Sequence, residues 1–141
     1  MVVIQMKYRF NEPYELSTKQ YYIFNPKHRN SSNPNASTWD VSFEEEFSIA
    51  DEGIILFKHE KTAFNVKKEL NRLKVLGFSP RKVKLFLAKF VMSFSDNWHG
   101  YPANHVSNNQ DKPDQATLKQ MVEANKLSKK EMRCIGKGQK L

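Results

Sequence analysis

Apolar and polar positions alternate along residues 2–10, with Ile4, Met6, Tyr8 and Phe10 on one side and Gln5, Lys7 and Arg9 on the other. This is the period of a half-buried β-strand. A second run of strand formers, Tyr21-Tyr22-Ile23-Phe24, stops at Asn25-Pro26. The polar, turn-rich stretch that follows, to residue 38, predicts a loop, with His28 and Arg29 facing solvent. Alternation returns over 38–43, where Trp39, Val41 and Phe43 oppose Asp40 and Ser42 ahead of the acidic cluster Glu44-Glu45-Glu46. Ile54-Ile55-Leu56-Phe57, after Asp51-Glu52-Gly53, predicts a fourth strand entered from a turn. Four short strands in succession favour an antiparallel sheet.

The period then changes. Ala63, Val66, Leu70 and Leu73 recur at three- and four-residue intervals with the lysines largely off that stripe, and Gly77 supplies a stop. The spacing predicts an amphipathic helix over 60–76. Ser79-Pro80 reads as an N-cap and first-turn proline for a second helix over 80–93, whose apolar face holds Val83, Phe86, Leu87, Phe90, Val91 and Phe94. A buried strand at 85–94 is the rival reading of that apolar density, set aside on the cap signal and the spacing. Residues 95–113 read as a long loop, followed by helices at 114–125 and from Ser128, where Ser128-Lys129-Lys130-Glu131 forms a capping box and Gly136 a stop. Residues 137–141 are expected to fray.

These elements predict one α+β domain over 1–141, a small antiparallel sheet from the N-terminal half packed against C-terminal helices. Its expected core is Ile4, Met6, Tyr8, Ile23, Val41, Ile55, Phe57, Val66, Leu70, Leu73, Val83, Phe86, Leu87 and Phe90. The chain of 141 residues can bury a core without staples, and its ten Phe, five Tyr and two Trp supply bulk that a thin aliphatic complement does not. No apolar run approaches a membrane span and the first residues lack the order of a secretion signal, so the expected address is the cytoplasm, without a membrane partner. One cysteine, Cys134, excludes an internal disulfide and has no CxxC companion; among Lys129, Lys130 and Arg133 it reads as an inert thiol before a reactive one.

Charge changes the picture more than composition does. The net charge of +8 is unevenly placed. Residues 58–91 carry ten Lys or Arg against Glu60 and Glu69, a local +8, while residues 1–57 come to −3 and residues 92–141 to +3. A clustered positive field attracts polyanions. On the expected helices Lys61, Lys68 and Arg72 share one face and Lys82 and Lys89 another, with Lys67 beside them; together they predict a surface for RNA or DNA, or for an acidic protein. The bland alternative is a solvated lysine-rich face. A helix-turn-helix is weakly signalled, since the second expected helix is too apolar to lie in a groove.

The densest group of reactive side chains is 96–105, which holds His99, His105, Asp96, Trp98, Tyr101, Asn97 and Asn104, with Gly100 and Pro102 to shape the turn. Trp98 and Tyr101 could contact nucleic acid, or merely pin the loop to the core. His99 and His105 could serve as general base and acid of a metal-independent ribonuclease or phosphodiesterase, His99 being the better candidate. His59 near His99 would make a second such pair. The spacing fits no zinc motif, and phosphate loops, dinucleotide fingerprints and nucleophile elbows are missing, which excludes the easily read enzyme classes; no metal or cofactor is expected. Binding therefore stands ahead of catalysis.

Overall fold

The computed structural model describes residues 7–30 and 32–141. In chain order these form β1 (Pro13–Glu15), β2 (Tyr21–Ile23), β3 (Thr38–Trp39), α1 (Phe43–Leu56), β4 (Lys58–His59), β5 (Thr62–Asn65), β6 (Lys68–Glu69), β7 (Arg72–Leu73), β8 (Gly77–Phe78), β9 (Lys84–Leu85), β10 (Leu87–Met92), β11 (Asn97–Ala103), α2 (Gln115–Glu123) and α3 (Lys129–Gly136), with 3₁₀ turns at Pro26–Arg29, Phe94–Asp96 and Asn109–Asp111. The main sheet is mixed, in the order β1-β2-β11-β10-β5-β4, and only the β2–β11 pair is parallel. Two smaller sheets, β3-β8-β9 and β6-β7, flank it in the topology.

Side chains alternate between the faces of a strand, and here each face meets its own helices. On one, Tyr22, Ala63, Phe90 and Trp98 pack with Ile49, Ala50 and Ile54 of α1 and with Trp39 and Leu76. On the other, Phe64, Leu87 and Ala103 meet Leu118 and Met121 of α2 and Ile135 of α3. A strand covered on both sides reads as a continuous apolar run. That is why the stretch from 85 mimics a buried helix.

The α+β class holds, with the sheet packed against C-terminal helices. Helices α2 and α3 form where the sequence reading places them, and Ser128 and Glu131 close their capping box. The strand expected over 2–10 falls partly outside the described residues, as do Ile4 and Met6; within them Phe10 makes an isolated bridge to Phe24. The helices expected over 60–76 and 80–93 are instead strands and turns: hairpin strands β4 to β7 in the first stretch, and β9 with the sheet strand β10 in the second. Glu60, Leu70 and Asn71 adopt positive φ of 55°, 51° and 64°, which closes tight turns and breaks any helix there. Ser79 caps a turn rather than a helix: its Oγ accepts from the Val83 N–H at 3.1 Å, and Lys82 has φ 68°.

The acidic cluster belongs to a helix. Ser42 Oγ accepts from the Glu45 N–H at 3.1 Å, and Glu44, Glu45 and Glu46 occupy the first turn of α1, where the helix dipole favours anions. The alternation of 38–43 thus continues in β3 only to Trp39, and the expected strand at 54–57 is the helix end. Of the expected core, Tyr8, Val41, Phe57, Val66, Leu87 and Phe90 are buried. Ile23, Leu73 and Phe86 are half-buried, whereas Ile55, Leu70 and Val83 are exposed. No helix among the described residues is long and apolar enough to cross a membrane.

Candidate functional site

Most of the stretch expected as a reactive loop, 96–105, is the central strand β11. Alternation along it sends Asn97, His99 and Tyr101 to one face and Trp98, Gly100 and Pro102 to the other. Trp98 is fully buried, and its Nε1 donates to Gln20 Oε1 at 2.8 Å, so it is a core pin rather than a contact surface. Gly100 must lack a side chain, since a Cβ there would stand 2.2 Å from Phe90 Cδ1.

The face carrying His99 and Tyr101 receives a residue the sequence left in solvent. Asn25 caps the 3₁₀ turn Pro26–Arg29, its Oδ1 accepting from the Lys27 N–H at 2.9 Å. The turn presents His28, whose ring stacks on Tyr101 with centroids 5.2 Å apart and planes 20° from parallel. His28 Nδ1 lies 2.9 Å from the Ser37 carbonyl oxygen. A carbonyl only accepts, so Nδ1 carries the hydrogen and neutral His28 keeps a lone pair on Nε2. Burial pulls the His28 pKa down against the opposing hydrogen bond to Ser37, and it pulls His99 down as well.

His28, His99 and Tyr101 line a groove of about 470 Å³ together with Lys27 and several asparagines. Its remaining hydrogen-bonding capacity is mostly donor. Asn104 Oδ1 accepts from the Ser107 N–H at 3.1 Å and Asn108 Oδ1 from the Gln110 N–H at 3.2 Å, as Asn25 Oδ1 does from Lys27. Each amide therefore has its NH₂ group left to offer. The carboxylate in the lining, Asp111, is already engaged: Oδ1 accepts from Tyr101 Oη at 2.8 Å, Oδ2 from the Asn104 N–H at 2.9 Å, and Lys89 Nζ lies 3.8 Å away. Burial and then Asp111 push the Tyr101 phenol well above its ordinary range. Ser79, Pro80 and Leu85 of the β8–β9 hairpin form part of the lining, and the same hairpin carries exposed Arg81, Lys82 and Lys84.

The other residues singled out in the sequence are dispersed. Lys61 sits in the β4–β5 turn, Lys68 and Arg72 on the β6–β7 hairpin, and Lys67 3.9 Å from Glu45; none of the four lines the groove. Because no helix forms there, the shared helical faces expected for Lys61, Lys68 and Arg72 and for Lys82 and Lys89 do not exist. Lys89 is buried and donates to the Gln110 carbonyl at 2.6 Å. His105 is buried with Nε2 2.6 Å from the Gln139 carbonyl, on a separate cavity of about 370 Å³ walled by Val83, Leu85 and Phe86. His59 is on the far edge strand, 3.7 Å from Asp114. The imidazole that joins His99 is thus His28.

A further feature invisible in the sequence holds this wall of the groove. Arg29, next to His28, donates through Nη2 to Glu46 Oε1 at 2.6 Å and through Nη1 to the Val41 carbonyl, while its guanidinium lies over the Phe43 ring. Among the described residues no three His, Cys, Asp or Glu side chains gather as metal ligands. Comparison with family models, with curated proteins and with solved structures finds no match to this chain.

Proposed function

We propose that this chain is a binding module for an anionic partner, RNA or DNA, and that the strand's phosphates meet the groove between the 3₁₀ turn Pro26–Arg29 and β11. The observation that carries the reading is the imbalance of the groove's hydrogen-bonding groups. Three asparagine NH₂ groups and Lys27 face an interior whose carboxylate is already compensated, so the complementary ligand is rich in acceptors. Arg81, Lys82 and Lys84 extend that preference along the adjoining hairpin, in the direction a polyanion requires. The His99 imidazole adds a flat face of the kind on which bases stack.

The test is anisotropy of a labelled single-stranded RNA and its DNA counterpart over a salt series starting near 50 mM. Binding is expected to weaken steeply with salt, and Arg81→Glu or Lys84→Glu to weaken it for all sequences while reducing the logarithmic salt slope by about 1 each. Affinity indifferent to salt, or unmoved by both reversals, overturns the reading; retained binding to an acidic protein alone redirects it to that partner.

A further inference from the structure

We infer that the groove does more than hold its ligand: His28 and His99 form an acid–base pair that cleaves RNA at a phosphodiester seated between them. The inference rests on the nucleic-acid reading of the groove and adds a substrate requirement to it, a ribose 2′-hydroxyl.

The pair follows from the fold. His99 and Tyr101 are alternate residues of β11 and so stand roughly 7 Å apart on one face. His28 lies flat on Tyr101, which brings the two imidazoles into the one groove they both line, near enough for the charge of His99 to bear on His28. Their protonation is differentiated by their partners. The Ser37 carbonyl holds the hydrogen of His28 on Nδ1, so Nε2 is the atom presented as a base. No protein group among the described residues hydrogen-bonds the His99 ring, which leaves it to donate or accept as the ligand demands. Lys27 and the asparagine NH₂ groups are placed to hold the non-bridging oxygens as charge builds on them.

The step balances without a metal or redox partner. His28 Nε2 takes the proton of the 2′-hydroxyl, O2′ attacks phosphorus, and the O2′–P bond forms as the P–O5′ bond breaks. The leaving O5′ takes a proton from His99 in its imidazolium form. The products are a 2′,3′-cyclic phosphate and a 5′-hydroxyl, with His28 left protonated and His99 neutral; exchange with water resets the pair.

The experiment compares an RNA strand with its fully 2′-O-methylated counterpart, measuring binding of the methylated strand and cleavage of both. The protein is expected to bind both strands, to cut only the RNA, and to leave cyclic phosphate ends in the presence of a chelator. His28→Asn retains a donor toward Ser37, and its fold is checked by thermal melting; it and His99→Asn are each expected to slow cleavage about 100-fold or more. The rate should peak on the acid side of about 6.5, the ordinary imidazole value, because burial lowers both groups. Methylated strand bound while RNA stays intact overturns the inference and spares the binding reading, whereas no binding of either strand removes both. Cleavage that survives either folded variant, attacks the methylated strand or needs a metal also overturns it.

Discussion

Arg29 and Glu46 tie the turn that carries His28 to helix α1, with Nη2 and Oε1 2.6 Å apart and both side chains largely out of water. Tyr22 completes the cluster by donating its hydroxyl to Glu46 Oε2 at 2.5 Å. Burial pushes the Glu46 carboxyl up to about 7, against the downward pull of Tyr22 and Arg29. A folded-state value above the unfolded one means that the folded chain binds the extra proton. The stability from this group is present below about 4.5 and is lost as pH rises through about 7. Lowered His28, His99 and His105 work the other way, losing stability as pH falls below the ordinary imidazole range. The difference between wild type and Glu46→Gln isolates the carboxyl. The variant is expected to gain on the order of 3 kcal/mol relative to wild type between these two pH values, read from urea midpoints; a constant difference would show that Glu46 does not titrate in this window.

Asp111 satisfies three groups from one buried position, the Tyr101 hydroxyl, the Asn104 N–H and the Lys89 ammonium. Asp111→Ala leaves the Tyr101 hydroxyl and the Asn104 N–H unpaired and strips buried Lys89 of its counter-charge, with only the Gln110 carbonyl remaining to it, and a loss of about 3 kcal/mol or more is expected. The Tyr101 phenol should also titrate at lower pH, since one of the causes holding it up is removed. Ultraviolet titration of the tyrosines checks this against wild type.

Leu70 is an apolar residue in a conformation suited to asparagine or glycine. It is 96% exposed, with φ 51°, and is followed by Asn71 at φ 64° in the two-residue turn between β6 and β7. Left-handed backbone costs a leucine roughly 1–2 kcal/mol. Leu70→Asn is expected to raise stability by about 0.5–1 kcal/mol, and chemical denaturation giving no gain would show that the turn relaxes without strain.

The Ser128 capping box has a measurable weight because α3 is only eight residues long. Ser128 Oγ accepts from the Glu131 N–H at 3.0 Å while Glu131 Oε1 accepts from the Ser128 N–H at 2.8 Å. Ser128→Ala should cost about 1 kcal/mol, with amide exchange accelerated first across α3.

Local signals were legible where local chemistry decided the outcome. The capping box of α3 and the strand at Tyr21 are read from a few adjacent residues. The middle of the chain was not, because Ala63, Val66, Leu70 and Leu73 match a helical period by coincidence. Leu70 is a turn tip, and Ala63 and Val66 are buried strand and strand-end positions. What separates the readings is the backbone of Glu60, Leu70 and Asn71, of which only Asn71 advertises a positive φ. At the site, residue types did single out His99 and Tyr101. His28 could not be joined to them, since 71 positions of chain separate it from His99 and their meeting depends on the sheet between. Conversely, charge alone cannot tell an outward lysine from Lys89, whose ammonium points into the protein.

The bare backbone at Gly100 has a consequence for what the groove can accommodate. Phe90 presses on the strand from behind, directly between His99 and Tyr101, with no room for even a methyl group. The floor therefore cannot retreat to admit a bulkier ligand, and any tuning of size must come from the walls. Those walls are the 3₁₀ turn, anchored through Arg29, and the β8–β9 hairpin. Substitutions in these two short segments can alter which ligands fit while the sheet beneath stays unchanged, so the molecule separates the residues that select a ligand from those that keep it folded.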